Sequence, residues 1–451
     1  MALGGLPASA RVASHVVQAA ALRPPDSRPR PDQPIGTPSM PEIENVVVLM
    51  MENHSFDNIL GMLPWQVRSR RGKVDGFPSV HGKPYAFNFD SDAKRIPIYH
   101  LPDMCPSGHI SQDWNASHLS YDHGTCNGFV IAVDSTQPMG YFDQSDLPFS
   151  YGLATHFPIS DRYFCSLMGQ TDPNRRYLFC ATSSGEVNDT DENFSGSGVP
   201  TSVTLYAKNG TIFDRLDAAG IEWLEFYQNV PSELIVPNFN HNPTQVARCQ
   251  KFDEFLVLAQ KGKLPPFTML DPNYTTTSEE NPQDVAYGEN YMAQVFDALT
   301  GSPQWEKTAL FVTYDEHGGW YDHVPPPKAI EPDDIPPSIP KGGQPGAFNR
   351  YGFRVPLYVI SPWSRADYVS HHVSDHTSIL AFIEEKWNLP ALTWRDANAW
   401  KLTDMLDFRR PSFSDPPTLP PPPNVQDTLN KCHADGENPP ENSPANSLPT
   451  T

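Results

Sequence analysis

The run Val46–Met51 is wholly apolar and stops, without a turn residue, at Glu52, Asn53, His54, Ser55 and Asp57. A continuous apolar segment of that length suits a strand covered on both faces, because a strand with one wet face alternates polar and apolar side chains. Two further runs, "TALFVTY" at 308–314 and "VPLYVIS" at 355–361, have the same character. Helical patterns lie among these runs at 172–184, 211–220, 249–262 and 287–303, the last with Tyr291, Val295, Phe296 and Leu299 on one face and Gly301 as its stop. Buried strands alternating with helices imply an α/β fold around a mostly parallel sheet, with helices on both sides.

The chain has 451 residues, enough for one large domain or two to three ordinary ones. Its 49 prolines cluster before residue 42, between Pro325 and Pro345, and after Pro411. The expected organisation is therefore a poorly ordered leader at 1–41, a folded unit at 42–413 and a disordered proline-rich tail at 414–451. A net charge of -21, from 53 acidic and 32 basic residues, disfavours a general nucleic-acid binder, since phosphate backbones are held by Lys and Arg. It disfavours strongly anionic membranes for the same reason. No apolar run approaches the roughly 20 residues that span a bilayer. The leader is interrupted by Arg11, Ser14, His15 and Gln18, so it does not read as a signal peptide. Six cysteines without a CxxC pair argue against a structural zinc site and permit disulfides.

Ligands of open α/β sheets gather at the carboxyl ends of the strands. Glu52 and Asn53 follow one strand run directly, and Asp315 and Glu316 follow another in "TALFVTYDEHGGWYDHVPPP". Three carboxylates and an amide oxygen form a donor set suited to a hard divalent cation, with His317 and His323 close in sequence. An isolated acidic pair is ordinarily a helix cap or a surface ion pair; two such pairs at two strand ends shift the balance. In "CSLMGQTDPNRRYLF", Thr171 precedes a helical pattern, where an N-cap is the ordinary role. Beside a metal that lowers its hydroxyl pKa, it becomes a nucleophile at an anion-receiving helix start. His118, His241 and His376 sit in polar or Gly-flanked contexts, where structural hydrogen bonding is the usual use of a histidine.

The segments "MMENHSFDNILG", "MGQTDPNR", "YDEHGGWYDHVPPP", "YGFRVPLYVISPWSRADYVSHHVSDHTSIL" and "WRDANAW" occur in this order. Together they resemble the phosphoesterase family of bacterial and plant non-specific phospholipases C and related acid phosphatases, from about Ile43 to Phe413. The resemblance implies a three-layer α/β/α sandwich like that of alkaline phosphatase, and hydrolysis through a phosphorylated Ser or Thr. It implies one divalent metal ion, with Ca, Mg, Mn, Fe and Zn all open, held by Glu52, Asn53, Asp315 and Glu316. Thr171 matches the nucleophile, His118 and His241 match histidines that contact the phosphoryl group, and Asp375 and His376 match a late Asp-His motif on the substrate side. One departure stands out. Relatives carry "SEHP" ahead of the acidic pair, where this chain reads "TSEENPQDV" with Asn281 at the histidine's place. An amide is no general acid, which leaves Glu280, His323 or water to protonate the leaving alcohol. The implied substrate is a phospholipid or a small phosphate ester, compatible with peripheral contact at a membrane surface. An acid phosphatase-type monoesterase and an inactive phosphate- or phospholipid-binding protein are the alternatives.

Overall fold

The computed structural model describes residues 22–189 and 205–441. Eight strands form the main sheet: β1 (Asn45–Met51), β2 (Ile159–Ser160), β3 (Trp223–Tyr227), β4 (Cys249–Lys251), β5 (Phe267–Asp271), β6 (Thr308–Tyr314), β7 (Leu357–Ile360) and β8 (Val369–Ser370). Their spatial order is β4-β3-β5-β1-β6-β7-β2-β8. Only β7 runs against its neighbours; every other pairing is parallel. All seven residues of β1 and of β6 are buried, as befits central strands whose consecutive apolar residues leave no wet face.

Seven helices matter below: α1 (Trp114–Tyr121), α2 (Thr171–Cys180), α3 (Ile212–Ala219), α4 (Phe252–Gln260), α5 (Val285–Thr300), α6 (His376–Trp387) and α7 (Val425–Asp435). Register assigns them to faces. Phe311, Val48, Met269 and Glu225 are level across four strands, so they point to one side; Phe226, the next residue of β3, points to the other. Phe311 meets Phe382 of α6, whereas Phe226 meets Phe255 of α4. Helices therefore cover both faces, and the α/β sandwich expected from the sequence is present. None of the described helices is long and apolar enough to cross a membrane.

Both proline-rich ends depart from expectation where they are described. Residues 22–41 lie along the C-terminal end of α6: the N–H groups of Asp26, Gly36 and Ser39 donate to the carbonyls of Ala391, Trp387 and Lys386 at 2.7–2.9 Å. Arg30 pairs with Glu385 at 2.7 Å, and the Asn388 amide donates to Arg30 O. Proline stiffens such a strap at low entropic cost, so a composition that reads as disorder serves here as packing. Residues 1–21 of the expected leader lie outside the described residues. In the expected tail, α7 buries Leu429 and Cys432, and Cys432 forms a disulfide with Cys105. Thr428 Oγ1 also donates to Asp284 Oδ2 at 2.6 Å. Residues 442–451 of that tail are outside the described residues.

Candidate active site

Strands β1 and β6 are adjacent and parallel, with Met51 opposite Tyr314. The residues that leave them, Glu52-Asn53 and Asp315-Glu316, are thereby brought level at one end of the sheet. Asn53 adopts the left-handed conformation (φ 70°), which asparagine tolerates better than most residues, and its N–H lies 3.3 Å from Asp315 Oδ1. Gly318 (φ 63°) closes the turn after the second pair; a Cβ there would sit 1.8 Å from Asn53 O, so the approach of the two loops requires glycine.

Helix α2 delivers the hydroxyl. The Asn174 side chain accepts from the N–H groups of Ser166 and Leu167 and donates to the carbonyls of Gly169 and Gln170, which pins the loop before Thr171. Thr171 is the first helical residue and makes no cap bond. Its Oγ1 instead donates across the cleft to Asn53 Oδ1 at 3.3 Å.

One turn along α2, Arg175 is buried beneath these groups. Its Nε donates to Asp315 Oδ2 at 3.0 Å and its Nη1 to Asp271 Oδ1 at 3.1 Å, while Nη2 stands 3.9 Å from Glu52 Oε1. One guanidinium thus faces three carboxylates, and Glu316 adds a fourth beside Asp315. Glu52 Oε2 and Glu316 Oε1 are buried and receive no hydrogen bond. Burial first, and then neighbouring carboxylates, push Glu52 and Glu316 well above the usual carboxylate range. Burial raises Asp315 to about 6 against the pull of Arg175. Surplus negative charge with unfilled oxygens fits a hard divalent cation, which would take up both deficits. The hollow in front, about 280 Å³, is lined by Glu52, Thr171, Arg175, Ser232, Tyr274 and Glu280 among others.

The structure therefore brings Glu52, Asn53, Thr171 and Asp315 together around Arg175, with Glu316 next to Asp315 in the chain and its Oε2 accepting from Gly318 N–H. The histidines fare differently. His118 on α1 lines another hollow with Met168 and Arg350, its Nδ1 bonded to Trp114 O at 2.7 Å. His241 is exposed and bonded to Tyr206. His323 is held by Asp57 at 2.6 Å and Asp75 at 3.2 Å, in a network with Arg354, and does not line the hollow. The fold turns these side chains elsewhere, because the direction in which a helix or loop presents a histidine is not encoded in the few residues that flank it. Asp375 and His376 stand behind the acidic pair and do not line the hollow. Asp375 caps α6 and accepts from Ser166 Oγ at 2.9 Å. His376 Nε2 donates to Asp315 O at 2.6 Å while Nδ1 accepts from Tyr163 OH at 3.0 Å. Burial lowers His376 to about 3, so it remains neutral and positions the Asp315 backbone.

Three participants escape the sequence reading. Arg175 sits within a quoted motif, but nothing local distinguishes a buried arginine from a solvated one. Asp271 ends β5 just as Asp315 follows β6, a strand-then-acid signal in "FTMLDP" that was legible. His109 stands 3.3 Å through its Nδ1 from Oε1 of Glu280, which lines the hollow.

The Phosphoesterase family profile matches residues 43–390, and the chain belongs to this family of phosphoric ester hydrolases. It is 33% identical to the non-specific phospholipase C1 of Arabidopsis thaliana over 388 residues, covering 79% of this chain and 69% of that protein. It is 29% identical to the non-hemolytic phospholipase C of Pseudomonas aeruginosa, covering 85% of this chain but only 60% of that longer protein. A solved protein of the alkaline phosphatase superfamily from Vibrio parahaemolyticus aligns over 89% of this chain and 87% of its own, at 12% identity and a TM-score of 0.38, too slight a likeness to bear on the site.

Proposed function

We propose that this chain is a phospholipase C-type phosphodiesterase that splits a glycerophospholipid into diacylglycerol and a phosphorylated headgroup through a phospho-Thr171 intermediate. The Thr171 hydroxyl, held by Asn53 at a helix start beside surplus buried carboxylate, is the observation that carries this reading. The names of the relatives support the substrate class, and the acidic chain favours a zwitterionic headgroup over an anionic one. A divalent cation held by Glu52, Asn53, Asp315 and Glu316 would polarise the phosphoryl oxygens and ease loss of the threonine proton.

The residues then have separate tasks. Thr171 Oγ1 forms the bond to phosphorus as the glycerol oxygen departs on the opposite side, and water later cleaves the phospho-threonine. Asn53 fixes the attacking oxygen, Arg175 locks Asp315 and Asp271 in place, and the start of α2 presents its positive end to the phosphate. With Asn281 unable to donate a proton, His109 is the donor this reading assigns to the leaving oxygen. Its bond to Glu280 raises its pKa above the ordinary histidine value, which favours the proton-carrying form.

The test is release of diacylglycerol from phosphatidylcholine vesicles by purified protein, before and after chelation, beside nitrophenol release from a monoester. Metal-dependent diacylglycerol release is expected. Turnover of the monoester alone would replace the reading with a phosphatase, and saturable binding without turnover would replace it with an inactive binder. A His109→Gln variant is expected to slow lipid turnover more than hydrolysis of a nitrophenyl diester, whose leaving group needs no proton.

A further inference from the structure

Behind Arg175, away from the hollow, Glu225 of β3, Glu233 of the short turn Ser232–Ile235 and Asp271 at the end of β5 face one another. All three are completely buried. One ligand atom from each lies within 4.8 Å of the others, so an ion at the roughly 2.3–2.6 Å typical of calcium–oxygen contacts can reach all three. Asp271 is anchored: its Oδ1 accepts from Arg175 and Tyr274 OH, and its Oδ2 accepts from Ser232 N at 2.6 Å. Glu225 and Glu233 are not. No donor from outside the cluster reaches either oxygen of either side chain, four buried acceptor atoms in all; Glu233's own N–H and contacts among the three carboxyl groups are what they have. Arg175 contacts only Asp271 of the three.

Buried carboxylates are paired or bound to a cation, since an unpaired one costs several kcal/mol. The other acidic clusters have their explanation on hand. Asp57, Asp322 and His323 surround Arg354, Asp103 adjoins the Cys105–Cys432 disulfide, and His100, Asp143 and Asp146 are reached by solvent. We propose that Glu225, Glu233 and Asp271 form a second cation site, distinct from the catalytic quartet, that takes one dehydrated Ca²⁺. Calcium suits it because an all-carboxylate, water-free cage is one that Mg²⁺, which sheds water reluctantly, seldom enters. The ion ties the adjacent strands β3 and β5 to the turn carrying Ser232 and fixes Asp271, on which Arg175 rests. The rival occupants are protons, since burial and mutual repulsion hold Glu225 and Glu233 well above the usual range when bare.

The experiment uses the full chain stripped by chelator, with ⁴⁵Ca equilibrium dialysis and Ca²⁺-titrated melting. Three proteins are compared: wild type, Glu316→Gln, and the double variant Glu225→Gln/Glu233→Gln. Glu316→Gln should keep one tightly bound Ca²⁺ and a Ca²⁺-dependent rise in Tm; the double variant should lose that ion and that rise. Wild-type stoichiometry and Tm response in the double variant overturn the site, as does Glu316→Gln with no bound Ca²⁺. If the double substitution prevents folding, Glu225→Gln alone is read for at least a tenfold weaker Ca²⁺ affinity, and unchanged affinity overturns the site. Failure of the catalytic quartet to bind metal would instead appear as equal stoichiometry in wild type and Glu316→Gln.

Discussion

Two buried arginines, Arg175 and Arg354, organise carboxylates drawn mainly from the segments that follow β1 and β6, yet only one of the clusters is left with surplus negative charge. Around Arg354, Nε meets Asp322 Oδ1 and Nη2 meets Asp57 Oδ1, each at 3.0 Å. Its Nη1 donates to the carbonyls of Asp75 and Asp161, and His323 supplies a second positive charge to Asp57 and Asp75. Charges there nearly balance and none of those carboxylate oxygens is left without a donor. Around Arg175 one positive charge faces Glu52, Asp271 and Asp315, with Glu316 beside them, and oxygens of Glu52 and Glu316 remain unfilled. Distance alone would choose the wrong cluster, because Asp57, Asp322 and His323 are close enough to hold an ion. The guanidinium already occupies that place. Charge surplus and unmet hydrogen-bonding capacity separate a reactive site from a fastening.

The contrast breaks most visibly at the nucleophile. Thr171→Ala should reduce turnover by about 10³-fold or more while the melting curve stays near wild type, since its hydroxyl makes a single polar contact. A variant retaining near wild-type rates would remove Thr171 from the mechanism. Next, Glu316→Gln should lower kcat by roughly 10²-fold, with activity partly recovered at high divalent concentration, whereas no metal addition should rescue a change at Arg354. Arg354→Met is expected to cost about 3–5 kcal/mol of stability by orphaning Asp57 and Asp322. Its turnover per folded molecule, read by active-site titration, should be unchanged; an equal fall in turnover would place the two clusters in one machine.

The smallest effect is a pH dependence. Burial opposes charge on His323, but Asp57 and Asp75 prevail and raise it to about 9. A raised folded-state pKa means the stabilisation is complete below the unfolded value near 6.5 and is lost as pH rises through 9. Denaturant melts between pH 6 and pH 10 should show this loss, up to about 3 kcal/mol, and His323→Gln should flatten it. A wild-type slope persisting in the variant would move its origin elsewhere.

Much of this was legible in advance because its causes are local. Val46–Met51 and Thr308–Tyr314 announce central strands by having no charged residue on either face and a core of consecutive apolar side chains, and an acid following such a strand has to emerge at the sheet's ligand-binding end. That places Glu52, Asn53, Asp315 and Glu316 at one end of the sheet. His118, His241 and His323 lie away from the hollow because the direction of a helix or loop side chain depends on what packs against it. The strap at 22–41 and helix α7 were misread because proline content reports backbone stiffness and says nothing of the surface it lies on.

The sequence by itself determined the class of sheet, the residues that close its central strands and the family to which the chain belongs, since burial on both faces imprints a pattern within seven residues. Only the tertiary structure decided that Met51 and Tyr314 are neighbours, that Thr171 reaches Asn53, and which arginine meets a surplus of carboxylate. Those facts are set by strand register and helix packing between residues more than a hundred positions apart, and charge balance exists only once such residues share one low-dielectric space.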